Sequence, residues 1–319
     1  MAFGEAVDRH DEAPLRYLPG KRPPRARIGI HSARLPTSTS VGAMSALIPP
    51  VVELSWWREH RGDVVLADVR WYLDGRSGQA AYAGGHLPGA VFVDLDTVLS
   101  GAPSPAAGRH PLPDPAVFAR GLSDLGVGDD DLVVAYDDAG GVIAARLVWM
   151  LRVTGHGAAL LDGGLRSYDG PLEGGVVVRP QAAFTPTPWP VHRVAEIDDA
   201  VSRANVVIDA RDRQRYRGEG ERLDPRAGHI PGSVNVPCRE HLTRDGRFLP
   251  ATVLRERFVA AGVTQGSEVV SSCGSGVTAC HNLLALELAG FGPGRLYPGS
   301  WSQYAAAADR PVATGDEPG

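Results

Sequence analysis

Residues 206–237 read VVIDARDRQRYRGEGERLDPRAGHIPGSVNVP, and residues 64–96 read VVLADVRWYLDGRSGQAAYAGGHLPGAVFVDLD. Each stretch is an apolar strand that ends in Asp-x-Arg (Asp68 and Arg70; Asp209 and Arg211). Each then passes an aromatic residue and reaches Gly-His-Leu-Pro-Gly (85–89) or Gly-His-Ile-Pro-Gly (228–232). A second matched pair follows: DDLVVAYDDAGGVIAARLVWML from Asp130 and GSEVVSSCGSGVTACHNLLALEL from Gly266. Short apolar strands alternating with amphipathic helices argue for an α/β fold, a central parallel sheet flanked by helices. Recurrence of the whole unit argues for two tandem copies of it.

Working outward, the copies occupy 45–172 and 193–319. Between them, 173–192 sits in a stretch with five prolines (171–194), which reads as a stiff extended linker. Residues 1–44 are rich in Pro, Arg, Gly and Ser without a hydrophobic period, and read as a disordered extension. That extension has no apolar core for a secretory signal, and its four acidic residues argue against a transit peptide. The alternative is that synthesis begins at Met44.

Composition excludes several chemistries. The chain has 319 residues, with 32 basic against 37 acidic residues and a net charge of −5, so it carries no nucleic-acid-binding footprint. No uncharged apolar run approaches the roughly 18 residues of a membrane span. Three clustered cysteines are too few for a disulfide framework and indicate a reducing compartment, the cytoplasm. Lys21 is the single lysine, which excludes a P-loop and a Schiff-base cofactor in the folded part. Anion binding must therefore use arginine, hydroxyls or backbone amides.

The two halves differ where chemistry would sit. Aligned on their Val-Val strands, the first has Asp137 where the second has Cys273. The second loop continues Gly274-Ser275-Gly276-Val277-Thr278, and a helix is expected from about Val277 with Val277, Cys280, Leu284 and Leu288 on one face. Glycines turn successive N–H groups inward as an anion nest, and the helix start adds partial positive charge. A thiol there ionises more readily than a free one. Cys280 and Cys238 read as packing residues.

Duplicated Asp-x-Arg and Gly-His-x-Pro-Gly units with one cysteine loop resemble the two-domain rhodanese family of sulfurtransferases, from about Val51 to Tyr304. The loop resembles that of the 3-mercaptopyruvate branch. The resemblance implies sulfur transfer through a Cys273 persulfide, from 3-mercaptopyruvate or thiosulfate to cyanide or a thiol acceptor, either a thioredoxin-like protein or a small thiol. It implies no cofactor and no metal. It assigns a proton relay to Ser275, His110 and Asp96. Arg215 becomes a carboxylate-binding arginine, with Arg222 or Arg226 as the second. Gly274, Gly276, Val277 and Thr278 become the sulfur cradle. Asp68, His86, Asp209 and His229 occur in both halves, one of which lacks the thiol, and so read as scaffold.

Three rivals are weaker or harder to separate. A phosphatase loop needs an arginine six after the cysteine, where Ala279 stands. Cys273, Cys280 and His281 lack a standard zinc spacing. A persulfide carrier or redox-sensing partner protein without turnover has the same sequence signature, and turnover with small donors separates it.

Overall fold

The structure is a computed structural model that describes residues 48–319; the extension expected over 1–44, and the start at Met44, lie outside the described residues. In the first half, β1 (Val51–Val52), β2 (Val64–Asp68), β3 (Val91–Phe92), β4 (Leu132–Tyr136) and β5 (Ala158–Leu161) form one parallel sheet, ordered β1-β5-β4-β2-β3. In the second, β6 (Val206–Asp209), β7 (Val234–Asn235), β8 (Val269–Ser272) and β9 (Arg295–Leu296) are parallel in the order β7-β6-β8-β9. Val194 bridges Leu296 in parallel, the place that β1 takes beside β5. The two sheets thus share one strand order.

Alternation along the strands explains why they read as continuous apolar runs. Val65, Ala67, Val133 and Ala135 enter one core cluster, while Leu66, Leu132, Val134 and Tyr136 enter another on the opposite face. Both faces are covered, as a parallel sheet requires. The first of those clusters continues into the second half through Ile208, Val269, Leu283 and Leu286. Helices α1 (Leu54–Glu59), α2 (Gly78–Gly84), α3 (Pro115–Asp124) and α4 (Ala145–Val153) belong to the first half. Helices α5 (Arg213–Arg217), α6 (Ala251–Ala260), α7 (Ala279–Leu288) and α8 (Ser300–Ala306) belong to the second.

Helices α4 and α7 pack against each other. Residues 279–286 are therefore buried all round, and the one-sided stripe expected from Val277 is too narrow. The helix lies between its own sheet and the other half, so only its last residues, Glu287 and Leu288, reach the surface. Each fully buried leucine there contributes about 1.5–3 kcal/mol, which makes this junction part of the core.

The Asp-x-Arg motifs fold identically. Arg70 and Arg211 each make a buried ion pair with the aspartate two residues back and donate to the carbonyl of Gly85 or Gly228. His86 and His229 stack on Tyr82 and Tyr216 at 4.0 and 3.7 Å, each with Nδ1 on that tyrosine's carbonyl. Residues 176–190 contain no helix or strand, yet they are docked on the first half. The Val177 N–H donates to the Tyr82 hydroxyl at 3.0 Å, the Thr185 N–H to Asp129 at 2.7 Å, and Trp189 Nε1 to the Pro113 carbonyl at 2.8 Å.

Candidate active site

Strand β8 is buried throughout and ends at Cys273, 2% exposed, at the floor of a cavity of about 660 Å³ lined by both halves. Four hydrogen bonds shape its loop. The Gly276 N–H donates to Cys273 Sγ at 3.1 Å. The carbonyls of Cys273 and Gly274 are drawn aside by the N–H groups of Trp301 and Ser302 at 3.0 and 2.9 Å. The Cys273 N–H donates to Ser300 Oγ at 3.0 Å. Ser300 adopts φ +50°, the one non-glycine positive φ among the described residues, and this strain is held where the loop is anchored. Gly276 has φ +77°, and a Cβ there would meet the Pro298 carbonyl at 2.5 Å, so only glycine fits.

The equivalent loop of the first half shows what such a cradle holds. The Asp137 carboxylate accepts N–H bonds from Ala139, Gly141, Ile143 and Ala144 at 2.7–3.0 Å. Burial pushes this carboxyl up against the pull of those four amides. The nest is filled by the chain's own anion. Asp137→Ala leaves four buried donors without an acceptor, at about 1–3 kcal/mol for each unsatisfied group. We expect urea unfolding to register a loss of at least about 3 kcal/mol; a loss below about 1 kcal/mol would mean that the amides find other partners.

The structure brings Ser275, His110 and Asp96 together, although the last two come from the first half. Ser275 Oγ and His110 Nδ1 are 2.8 Å apart, and His110 Nε2 lies 3.5 Å from Asp96 Oδ1. Trp71 fixes this arrangement: its Nε1 donates to Asp96 Oδ2 at 3.1 Å, and its ring meets that of His110 edge-on at 5.4 Å. Burial, then Arg109 and Arg146, hold the imidazole down at about 4. Asp96 is largely solvated and does not offset them. His110 is therefore neutral near pH 7 and can exchange a proton with the Ser275 hydroxyl.

Arg215, on α5, reaches over the cysteine loop. Its Nη1 stands 3.1 Å from where a Cβ on Gly274 would lie, and Arg109 Nη2 stands 3.3 Å from the same point. Arg215 pairs with Glu221 and Asp224, and Arg109 pairs with Asp224 at 2.6 Å. Two cations thus approach the loop from outside it, a feature that the uncharged loop sequence does not reveal. Arg109 is anchored in trans, its N–H donating to Ser302 Oγ at 2.9 Å.

Arg222 is not brought to the site. It is exposed and absent from the cavity lining, because its neighbours Glu221 and Asp224 turn inward to Arg215 instead. Arg226 is consumed by the carbonyls of Tyr304, Ala305, Ala307 and Arg310. Arg213 and Arg217 make exposed pairs with Glu240 and Asp316. Gly274, Val277 and Thr278 line the cavity, and Gly276 acts through its N–H on the sulfur. Burial pushes the Cys238 and Cys280 thiols up to about 12.

The rhodanese-like domain family matches residues 54–170 and 193–307. The chain belongs to the rhodanese-like family. Among its relatives, the probable 3-mercaptopyruvate sulfurtransferase of Pseudomonas aeruginosa is 44% identical over 270 residues, 80% of this chain and 93% of that protein. The putative thiosulfate sulfurtransferase SseB of Mycobacterium tuberculosis is 37% identical over 281 residues, 86% of this chain and 99% of that protein. The crystal structure of SseA from Escherichia coli, titled as a 3-mercaptopyruvate sulfotransferase, superposes with a TM-score of 0.71 at 35% identity, covering 80% of this chain and all of that one. A 3-mercaptopyruvate sulfurtransferase from Leishmania major gives a TM-score of 0.74 at 30% identity, over 83% of this chain and 77% of that one. Among the described residues of this rhodanese-like protein, no helix is long and apolar enough to cross a membrane.

Proposed function

We propose that the protein is a sulfurtransferase that takes sulfur from 3-mercaptopyruvate, carries it as a persulfide on Cys273, and passes it to a thiol acceptor. The observation that carries this reading is the pair of guanidinium groups, Arg215 and Arg109, beside Gly274 and next to the thiol. A substrate that carries a carboxylate a few bonds from its sulfur suits a thiol flanked by arginines, because arginine's planar fork matches the carboxylate. Three unpaired cysteines fit the cytoplasmic compartment expected from the sequence.

In the first step the Cys273 thiolate attacks the donor sulfur. The new S–S bond forms as the C–S bond breaks, and its electron pair passes to the pyruvate enolate, which takes up a proton. Ser275, bonded to neutral His110, manages the proton at the sulfur. The Gly276 N–H stabilises sulfur anion on Cys273. In the second step an acceptor thiolate attacks the outer sulfur, and Cys273 leaves as thiolate.

Arg215→Ala removes a charge-assisted contact of about 1.5–3 kcal/mol, so kcat/KM for 3-mercaptopyruvate should fall about ten- to hundredfold. Turnover with thiosulfate, a compact dianion with its charge close to the transferred sulfur, should suffer less. Equal losses with both donors, or wild-type efficiency that is greater with thiosulfate, would reassign the donor. A protein that forms one persulfide without turnover on either donor would be a carrier.

A further inference from the structure

Arg146 is wholly buried, in the first turn of α4, and among the described residues no carboxylate pairs with it. Its guanidinium bonds only carbonyls: Gly276 at 2.9 Å, His110 at 3.2 Å and Leu99 at 3.4 Å, while Nε has no partner. Arginine cannot shed its proton inside a protein, and burying an unpaired cation costs several kcal/mol. The ionisable groups that face it are Cys280, Cys273 and the His110 imidazole. Cys280, pushed up to about 12, stays neutral.

Arg166, Arg239 and Arg244 line the same cavity as Cys273 without a carboxylate partner among the described residues, but all three are exposed to solvent; the others are paired. Arg211 is paired with Asp209, Arg215 with Glu221 and Asp224, and Arg109 with Asp224. The remaining titratable neighbours are neutral His110 and the buried Cys238 thiol. Arg146 is thus the one buried arginine among the described residues that has no carboxylate of its own. Duplication makes the asymmetry plain: nine residues after Asp137 stands Arg146, and nine after Cys273 stands Asn282, which bonds the Val236 carbonyl within its own half. The half without the thiol carries the cation, and that cation crosses to the half with the thiol.

We propose that Arg146 is a positioning residue through which the first half sets the ionisation of Cys273. It holds the Gly276 carbonyl so that the same residue's N–H stays on Sγ, and it ties the His110 backbone to that loop, keeping His110 in register with Ser275. It also supplies the positive potential that favours thiolate and persulfide anion. The proposal rests on Cys273 being the nucleophile, and its test reads ionisation rather than sulfur transfer, so failure of one does not imply failure of the other.

The experiment alkylates the folded full-length protein with iodoacetamide and quantifies each cysteine peptide by mass spectrometry. Arg146→Gln should slow alkylation of Cys273 about tenfold near pH 7 and leave it unchanged near pH 10, where an ordinary thiol is ionised. Arg146→Lys should restore the rate to within about threefold, because the charge is kept. An unchanged rate in Arg146→Gln, or no rescue by lysine, overturns the proposal. Rapid labelling of Cys238 and Cys280 in the variant also overturns it, because loosened packing would then explain the effect. Should Arg146→Gln not fold, the wild type decides. Its ratio of Cys273 labelling near pH 7 to that near pH 10 must exceed the ratio for the same chain unfolded in urea. An equal or lower ratio overturns the proposal.

Discussion

Cys273→Ser should lower sulfur transfer by about 10⁴-fold or more, the scale on which enzymes lose activity when their nucleophile is removed. A serine hydroxyl does not ionise at the Gly276 N–H as a thiol can, and it offers no sulfur on which to form a persulfide. After donor treatment the wild-type peptide containing Cys273 should gain about 32 Da, one sulfur atom. The variant should gain nothing. Sulfur found on Cys238 or Cys280 would refute the assignment, and the structure argues against both: burial pushes each thiol up to about 12. Retention of even a hundredth of wild-type turnover would require a different nucleophile.

Stability should fall steeply as the protein is acidified from pH 7 towards pH 5. Burial holds His110 and His241 down at about 4 and His281 well below its ordinary value. In the unfolded chain each returns to about 6.5. Burial lowers His156 as well, so below about 6.5 the unfolded state binds up to four protons that the folded state refuses; stability is full above 6.5 and is lost as pH falls. Asp137 and Asp162, whose carboxyls burial pushes up, take protons in the folded state and subtract up to two from that number. The net slope is one to four protons, about 1.4–5.5 kcal/mol per pH unit near pH 5. Urea unfolding at several pH values reads it directly. His281→Phe, which keeps a ring against Phe248, should remove about one proton from the slope. A flat profile between pH 5 and 7 would mean that these imidazoles are charged in the fold.

What the sequence made legible was local. Val-Val runs, Asp-x-Arg and the Gly-His-x-Pro-Gly turns each encode contacts within one half, and their recurrence displayed the duplication. The cysteine loop was legible because a strand, two glycines and a helix start fall within ten residues, and Arg215 only through the resemblance to the rhodanese family. Arg109 and Arg146 were not, since both act across the junction on residues more than 100 positions away. No local period encodes such a reach. Arg222 illustrates the reverse: the family resemblance offered it as the second carboxylate-binding arginine, but the inward turn of Glu221 and Asp224 leaves its side chain outside. The all-round burial of α7 and the docking of 176–190 depend likewise on what packs against them.

The Asp137 nest makes one half of this protein permanently liganded. Its anion is tethered by the chain, so its occupancy cannot vary. In the proposed cycle the matching loop at Cys273, where the Gly276 N–H meets the sulfur, would hold thiol and persulfide in turn. A contact made only in the folded state stabilises it, and the outer sulfur of a persulfide would gain such contacts only when the loop is folded around it. The catalytic half should therefore be measurably more resistant to heat in the persulfide form than in the free thiol form, whereas its twin carries its full complement from the moment it folds. Cellular lifetime of the enzyme would then depend on the supply of its sulfur donor.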